Sequence, residues 1–309
     1  MISMPGKSHA GPLPPVTSAE TALAGSLRRD VEELAGRIGI RNLEVPSALE
    51  AAANYMESRL KETIPVVARQ SFDVDGRPCR NIEATVSGSD RAAEIVIVGA
   101  HYDSVSGCPG ANDNATGAAA LLALAKTLAA ARPSRTLRFV AFVNEEPPYF
   151  ETPAQGSWVY AKQCRARGEK VAAMLSLETI GFYTDAERSQ SYPAPLSLFY
   201  PSVGNFVAFV GNIASRKLVR EAIGSFRRHT AFPSEGAAMP GWLPGIGWSD
   251  HWAFWQEGYP GIMVTDTAPF RYPHYHTPHD TPEKIDYERC ARVVAGLTRV
   301  VADLAGGSV

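Results

Sequence analysis

The stretch EIVIVGAHYD, residues 94–103, is an unbroken apolar run that ends in a histidine, a tyrosine and an aspartate. A run of this kind, without polar alternation, is typical of a strand that is buried on both faces of a sheet. A glycine-rich loop at residues 106–110 follows it. The sequence NATGAAALLALAKTLAAA, residues 114–131, is so small and apolar that it predicts a core helix packed closely on the sheet. The next run, TLRFVAFVN at residues 136–144, predicts a second buried strand, so the order is strand, helix, strand.

The same alternation continues on both sides of this unit and predicts an α/β protein. Before it, two helices and a hairpin with the turn signal DGRP are expected; after it, helices and strands alternate up to a closing amphipathic helix started by TPEK. We therefore predict a three-layer αβα fold with a mixed, mostly parallel central sheet. One domain is expected over residues 1–309, with an extended tail at 1–16 and helices at 17–65 that pack on the domain. The predicted segments are helices at 18–37, 46–62, 156–168, 215–228, 249–258 and 282–305, and strands at 66–74, 81–88, 171–181 and 260–267.

The composition narrows the possible partners. The chain has 309 residues, of which 45% are hydrophobic and 20% charged, and its formal net charge is -2. Such a chain can build a sizeable core, and without a basic cluster nucleic acid is not expected as a partner. We find neither the apolar core of a secretory signal nor a run long enough to cross a membrane, so a soluble, cytoplasmic protein is expected, with secretion or a periplasmic location as the alternative. The four scattered cysteines are expected to be free thiols, and a nucleophilic role for Cys108 is disfavoured because no thiol-protease histidine pattern accompanies it.

Polar side chains collect where the predicted strands end. His101 and Asp103 end one strand, Glu145 and Glu146 end the next, and Glu178 lies near the end of a third. Asp113 follows the glycine-rich loop, and the segment YPHYHTPHD supplies a histidine cluster after the strand PGIMVTDT. Because ligands of α/β sheets bind at the carboxyl ends of the strands, we expect these groups to converge. Imidazoles mixed with carboxylates suit zinc better than magnesium or calcium.

At this point the chain resembles a known family. The segments GAHYDSV, GANDNATGAAALL, NEE, LETIG, SDHWAFWQEGYPGIM and YHTPHDTPEKID are similar to the successive motifs of the di-zinc aminopeptidases, metallopeptidase family twenty-eight, which also includes the glutaminyl cyclases. The resemblance runs from about residue 80 to the C-terminus. It implies a zinc-exopeptidase-like fold of the phosphorylase/hydrolase type, two zinc ions per chain, and peptide substrates with a free N-terminus.

The resemblance also implies a ligand set, position by position. His101 and Glu178 would hold one zinc, Glu146 and His276 would hold the other, and Asp113 would bridge the two. The frame YHTPHDT favours His276 over the two histidines that flank it at positions 274 and 279. A dinuclear site of this kind acidifies a water and polarises a scissile carbonyl.

Further roles follow from the same resemblance. Glu145 would be the general base that moves a proton from the attacking water to the leaving amine. Tyr275 would help to stabilise the oxyanion, with a packing role as the alternative. Asp103 would orient the imidazole of His101. Asp250, in SDHWAF, would form hydrogen bonds near the site or simply cap a helix. A cis peptide bond is expected between Asp113 and the asparagine that follows it.

The loop after the paired acids departs from the family pattern. Here the chain reads PPYFETPAQGS, where relatives have a shorter loop containing Gly and Leu. We hypothesise that Tyr149 and Phe150 form a wall of the substrate pocket. The segment MPGWLPGIGWSD, with Trp242 and Trp248, is a second candidate wall or lid.

Three functions remain open from the sequence. The first is an aminopeptidase. The second is a glutaminyl cyclase, an acyltransferase that uses essentially the same ligand set around one zinc. The third is a binding module that has lost catalysis, which is disfavoured because all five ligand positions and the base are filled. Metal stoichiometry and ammonia release from a peptide that starts with glutamine separate the first two.

Overall fold

The computed structural model describes residues 3–307, and its strands form one mixed eight-stranded sheet. The spatial order of the strands is β1-β2-β4-β3-β5-β8-β6-β7. Strand β3 runs parallel to β4 and to β5, β5 runs parallel to β8, and β6 runs parallel to β7; the other three pairs are antiparallel. The predicted mixed, mostly parallel sheet is therefore confirmed. The strands are β1 Val67–Val74, β2 Arg77–Val86, β3 Arg91–His101, β4 Arg135–Phe142, β5 Lys170–Glu178, β6 Val207–Asn212, β7 Ser234–Met239 and β8 Gly261–Thr265.

Helices cover both faces of this sheet. One face carries the large hydrophobic core, to which α1, α2, α3, α5 and α7 contribute, and the other carries α4 and α6, which pack against each other. The helices are α1 Ser18–Val31, α2 Pro46–Lys61, α3 Gly117–Leu128, α4 Gly156–Ala166, α5 Arg216–His229, α6 His251–Gln256 and α7 Tyr287–Ala305. A π-helical segment, Glu32–Ile38, extends α1. The three-layer αβα architecture agrees with the sequence prediction.

Helix α3 packs unusually close to the sheet because its side chains are small. Its first residue, Gly117, has no room for a side chain: a Cβ there would collide with the Asn114 side chain and with the backbone carbonyl of Leu177 in β5. This close approach brings the segment before α3, which carries Asp113, against the end of β5. The small residues of α3 thus bring the candidate ligand Asp113 to the strand end that carries Glu178.

Two parts of the sequence prediction are wrong. The closing helix begins at Tyr287 rather than at residue 282, because Pro282–Lys284 forms a separate 3-10 turn and Asp286 caps the helix by accepting a hydrogen bond of 3.0 Å from the backbone N–H of Arg289. Strands β6 and β7 were not predicted. The sequence of β7, SEGAAM, contains no β-branched residue, so it lacks the side chains that mark a strand.

Residues 3–16 of the predicted tail lie along the surface and contact later elements, while residues 1–2 lie outside the described part of the chain. The backbone N–H of Ser234 donates to the Ser8 hydroxyl at 2.8 Å, and the Arg292 guanidinium donates to the carbonyl of Pro14 at 2.7 Å. These bonds tie the tail to β7 and α7. No helix in the described part of the chain is both long and apolar enough to cross a membrane.

Candidate metal centre

The candidate site lies at the carboxyl edge of the three central parallel strands. His101 is the last residue of β3 and pairs with Phe142, the last residue of β4, while Glu178 is the last residue of β5. Glu145 and Glu146 follow β4 by three and four residues. Parallel pairing aligns the ends of neighbouring strands, so these side chains meet at one edge as expected.

Five side chains form two ligand groups that share one carboxylate. His101 Nε2 lies 3.3 Å from Asp113 Oδ1 and 3.3 Å from Glu178 Oε2. His276 Nε2 lies 3.0 Å from Asp113 Oδ2 and 3.2 Å from Glu146 Oε2. Each group could hold a metal ion. Asp113 therefore offers one oxygen to each group, which is the arrangement of a bridging ligand.

The chemistry of these groups fits a divalent cation. The Nε2 atoms of His101 and His276 are buried, and neither has a hydrogen-bond partner among residues 3–307. Burial and the neighbouring charge of Asp113 raise the pKa of Glu146 to about 7, and burial raises that of Glu178 to about 7 as well. Burial opposes protonation of His276, yet the carboxylates of Asp113 and Glu146 outweigh it and raise its pKa to about 10. Buried imidazoles and carboxylates that hold protons so strongly are typical of a site built for a cation, and the nitrogen and oxygen donors suit zinc.

The peptide bond between Asp113 and Asn114 is cis, as expected from the resemblance. Both residues have non-helical backbone angles and lie at the break before α3. The side-chain carbonyl of Asn114 accepts hydrogen bonds from the backbone N–H groups of Gly117 and Thr179, at 3.1 and 3.0 Å. Asn114 thereby joins the Asp113 segment to the end of β5.

Asp103 contacts the ends of two strands. Its Oδ1 lies 3.6 Å from Nδ1 of His101, which is longer than a hydrogen bond. Its two oxygens instead accept hydrogen bonds from the backbone N–H groups of Glu145 and Glu146, both at 3.3 Å. Asp103 therefore fixes the backbone of the paired acids in addition to facing the histidine that it was expected to orient.

Glu145 and Glu146 point to different parts of the site. Glu145 Oε2 lies 3.8 Å from His101 Nε2, whereas Glu146 Oε2 faces His276. Glu145 belongs to neither ligand group, and its carboxyl is buried beside both. Burial, supported by the charges of Glu178 and Glu146 and opposed by His101, raises its pKa well above the usual value. A buried carboxylate that binds a proton readily and ligates nothing suits a general base.

Tyr275 lies over the second ligand group. Its ring stacks on that of His276, with centroids 3.9 Å apart, and it lines a cavity that also contacts Glu178. Burial and the nearby charges of Asp113 and Glu146 raise the pKa of its phenol, so it carries a proton that it can donate.

Asp250 is fully buried beside the first ligand group but does not cap a helix. It precedes α6 without a side-chain hydrogen bond to that helix, and within residues 3–307 neither of its carboxylate oxygens has a hydrogen-bond partner, so neither the capping nor the hydrogen-bonding alternative is borne out. Burial raises its pKa to about 7, and the charge of His101 opposes this shift. Its neighbour His251 binds no ligand group: its Nε2 lies 2.8 Å from the carbonyl of Ile246. The flanking histidines 274 and 279 also lie outside both groups.

Sequence reasoning missed three residues that support the ligands. Ser249 donates to Glu178 Oε2 at 2.7 Å. Asp280 accepts from the backbone N–H groups of Asn112 and Asp113, at 2.8 and 3.0 Å, and from the hydroxyl of Tyr272 at 2.8 Å. Both lie inside quoted motifs, SDHWAF and YHTPHDTPEK, which is the signal that could have found them.

The third missed residue is Arg41, which is completely buried beneath the loop that follows β3. Its guanidinium donates to the carbonyls of Tyr102 at 2.6 Å, Gly110 at 2.8 Å and Pro109. Its backbone N–H donates to the Ser104 hydroxyl at 3.2 Å. The sequence around it, IRNLE, gives no motif, so only the structure identifies this role.

An apolar cavity opens beside the candidate metal ligands. It is lined by Glu178 and Tyr275 at one end and by residues of β6, β7, β8 and the segment before α6. Trp248 lines it, as expected of a second wall, but Trp242 is 81% exposed and does not. The hypothesis for Tyr149 and Phe150 is wrong for this cavity, because Tyr149 packs on the main core and the ring of Phe150 lies 6.4 Å from that of Trp252.

The four cysteines are free and buried. Burial raises the pKa of Cys108 to about 12, so its thiol is not activated as a nucleophile. This agrees with the expectation from the sequence.

Comparisons with known proteins identify the family. A sequence profile of Peptidase family M28 matches residues 81–301. Uncharacterized protein YfbL of Escherichia coli strain K12 is 36% identical over 280 residues, which cover 88% of this chain and 85% of that protein. A probable leucine aminopeptidase 1 of Trichophyton verrucosum is 25% identical over 240 residues, which cover 72% of this chain but 58% of that longer protein.

Solved structures agree on the fold. The zinc aminopeptidase BSAP from Bacillus subtilis matches with a TM-score of 0.72 over 91% of this chain and 94% of that chain, at 16% identity. A glutaminyl cyclase of Porphyromonas gingivalis matches with a TM-score of 0.67 over 93% and 99%, at 17% identity. At such identities the likeness shows the shared fold alone. The profile match spans most of the chain and includes the whole candidate site, and the chain therefore belongs to Peptidase family M28.

Proposed function

We propose that this protein is a zinc-dependent aminopeptidase that hydrolyses N-terminal residues from peptides. The observation that carries the proposal is the position of Asp113, whose two oxygens face two separate groups, each with one histidine and one glutamate. The names of relatives, a zinc aminopeptidase and a probable leucine aminopeptidase, support the same activity.

His101 and Glu178 would hold one zinc, His276 and Glu146 would hold the second, and Asp113 would contact both. When bound, the ions would supply a Lewis acid for the scissile carbonyl and lower the pKa of the attacking water. Asp103, Ser249 and Asp280 keep these ligands in place through the hydrogen bonds described above, which reduces the reorganisation needed on binding.

Glu145 would take the proton of the attacking water and pass it to the leaving amine. Its carboxylate is free of the ligand groups, and burial raises its pKa above the usual value, so it binds a proton more strongly than an exposed glutamate does and suits the transfer. Tyr275 would donate a hydrogen bond to the oxygen of the scissile carbonyl as negative charge develops there. The cavity next to Glu178 and Tyr275 would receive the side chain of the N-terminal residue, which suits an exopeptidase.

Metal analysis of the purified protein and a panel of aminoacyl p-nitroanilides test the proposal. We expect about two zinc ions per chain and hydrolysis of substrates with a free amino group, but not of N-acetylated ones. Glu145→Gln should keep both ions and lower kcat by about 10²- to 10⁴-fold, since it removes the proton carrier. Glu151→Gln is the matched control, because it makes the same change at an exposed position of the following loop.

Other outcomes would favour the alternatives. One zinc ion per chain, with ammonia released from a peptide that starts with glutamine, would indicate a glutaminyl cyclase instead. A metal-free protein without hydrolysis would indicate a binding module. Full activity of Glu145→Gln would overturn the role of that residue.

A further inference from the structure

A row of four paired residues crosses the sheet from the metal centre to the far end of the cavity. Glu178 in β5 pairs with Thr265 in β8, Thr265 pairs with Ala208 in β6, and Ala208 pairs with Glu235 in β7. Directly paired residues place their side chains on the same face of a sheet. All four of these residues line the cavity. The cavity therefore has a candidate metal ligand at one end of the row and a second acid, Glu235, at the other.

Glu235 lies in surroundings that do not neutralise it. It is partly buried, and within residues 3–307 its carboxylate has neither a hydrogen bond nor an ion pair. The charge of Arg227 acts on it, but that guanidinium donates to the Ser234 hydroxyl at 3.1 Å, the Ser234 carbonyl at 2.6 Å and the tail carbonyl of Pro5 at 3.3 Å. Burial raises the pKa of Glu235, and the charge of Arg227 opposes this only in part. A carboxylate in this position lacks a cationic partner.

Two tyrosines stand next to this carboxylate. The rings of Tyr192 and Tyr200 stack with centroids 5.7 Å apart, and both rings line the cavity. Their hydroxyls are already used, because Tyr192 donates to the Pro201 carbonyl at 2.7 Å and Tyr200 donates to the Gly236 carbonyl at 2.9 Å. What they offer a ligand is therefore their ring surfaces, whose faces attract a cation and against which an aliphatic chain can pack.

Several other polar groups in the wall have partners within the protein. The side-chain oxygen of Gln190 accepts from Arg271 Nε at 2.7 Å, and its NH₂ group donates to the Ser191 carbonyl at 2.9 Å. The hydroxyls of Thr179 and Thr265 lie 3.0 Å apart. Arg271 itself is buried and does not line the cavity. The charge of the buried Asp266 carboxylate favours its charged form and partly offsets the lowering of its pKa by burial. Among the described wall residues other than the metal ligand, Glu235 is thus the charged group left for a ligand.

We propose that Glu235 makes this cavity a subsite for a basic side chain, so that the enzyme prefers substrates with N-terminal lysine or arginine. The inference rests on the proposed aminopeptidase function. The length of the row agrees with it: three steps between strands span roughly 14 Å from Glu178 to Glu235. An extended lysine or arginine side chain covers roughly 6 to 7 Å, and the Glu235 side chain with one hydrogen bond covers about as much again. The aliphatic part of the ligand would lie against the apolar walls while its charge meets the carboxylate.

Steady-state kinetics of the zinc-loaded enzyme test the inference with p-nitroanilides of lysine, arginine, norleucine and methionine. We expect the wild type to prefer the two basic substrates. Glu235→Gln should lower kcat/KM for these by about 10- to 100-fold, the usual cost of losing a charge-assisted hydrogen bond, and should change norleucine and methionine by less than about twofold. Glu187→Gln, at an exposed position, removes the same charge from the molecule and should leave all four values unchanged.

The inference is overturned if Glu235→Gln lowers kcat/KM equally for basic and apolar substrates, or if it changes none of them. Failure of the proposed function is a different result, in which the wild type hydrolyses no p-nitroanilide at all. Calorimetric binding of L-lysine and L-norleucine then decides the inference. Selective loss of lysine binding in Glu235→Gln supports the subsite, and equal binding of both amino acids by the wild type overturns it.

Discussion

At the scale of single residues, the paired acids show how adjacent positions serve two tasks. Neighbouring residues on a strand point to opposite faces, but Glu145 and Glu146 lie after the end of β4. Asn144 before them has a left-handed backbone, with φ of 59°, and Asp103 holds the N–H groups of both acids. The backbone therefore turns at this point and sends one carboxylate toward each half of the site.

Asp280 is the residue whose change should reveal how the bridging carboxylate is held. In Asp280→Asn an NH₂ group replaces one of two oxygens that accept backbone N–H groups, so a donor would face a donor next to Asp113. We expect zinc affinity, measured by competition with a chromogenic chelator, to fall by about 10- to 100-fold while the fold is kept. Tyr272→Phe removes only the third hydrogen bond and should have a smaller effect.

His279→Asn is the matched control for this prediction, because His279 is exposed and adjacent to Asp280. Unchanged zinc affinity in a folded Asp280→Asn protein would show that the Asp113 backbone needs no such support.

The sequence predicts the candidate metal ligands better than it predicts the residues that hold those ligands in place. Strand-end positions and the resemblance were enough to select the five candidate ligands and Glu145. Asp280 and Arg41 act on backbone groups instead, at separations of 168 residues for the Asn112 N–H and 61 for the Tyr102 carbonyl. Nothing in a local pattern encodes a partner that is a distant peptide group. Such roles depend on the assembled chain, and the structure is needed to find them.

At the scale of elements, the segment between α1 and α2 supports the loop after β3 through the hydrogen bonds of Arg41. Arg41→Met should remove hydrogen bonds to the buried carbonyls of Tyr102 and Gly110 and to the partly buried carbonyl of Pro109. We expect a loss of unfolding free energy on the order of 3 kcal/mol or more, measured by urea denaturation of the zinc-free protein. The exposed Arg29→Met in α1 makes the same chemical change without a buried partner and should be nearly neutral. A loss of equal size in both variants would contradict the role of Arg41.

The elements that sequence reasoning missed, β6 and β7, both line the apolar cavity. β6 is a short run with two valines and one phenylalanine that has the residues of a strand, whereas β7 consists of serine, glutamate, glycine, alanine and methionine and lacks strong strand propensity. They form strands because the sheet provides a neighbour and α5 covers them on one face. If these strands are not predicted, Glu235 is interpreted as an ordinary acidic residue in a loop. The candidate metal centre, by contrast, lies at the ends of long apolar strands that the pattern predicts well.

At the scale of the whole molecule, the fold concentrates negative charge at one edge of the sheet. Asp103, Asp113, Glu145, Glu146 and Glu178 are all buried there, and Arg41 is the buried arginine among them. Burying so many carboxylates is unfavourable unless cations or protons compensate them. The native state without metal must therefore hold protons at this edge, and zinc would replace them.

The pH dependence of the metal-free protein follows from this exchange. The folded state raises the pKa of Glu146 and Glu178 to about 7, above the usual value of 4.5 for glutamate, and that of His276 to about 10, above 6.5. At pH values between its unfolded and its folded pKa, each of these groups binds more protons in the folded chain than in the unfolded chain. Stability must fall as the pH rises wherever the folded state holds the extra protons, so all three groups destabilise the metal-free protein on going from pH 6 to pH 8.

Zinc should therefore raise the melting temperature more at pH 8 than at pH 6. Its ligands must be deprotonated, so binding is favoured at the higher pH, where the metal-free protein is also weakest. At a hundredfold excess over Kd, binding contributes about 3 kcal/mol, which corresponds to a shift on the order of 5 °C for a domain of this size. Differential scanning calorimetry in EDTA and in saturating zinc at both pH values measures the two shifts. Replacing both Glu146 and Glu178 with Gln removes two of the carboxyl groups that titrate in this range, and should make the EDTA melting temperature less dependent on pH. A zinc-induced shift of equal size at pH 6 and pH 8 would mean that protons do not occupy the buried edge in place of the metal.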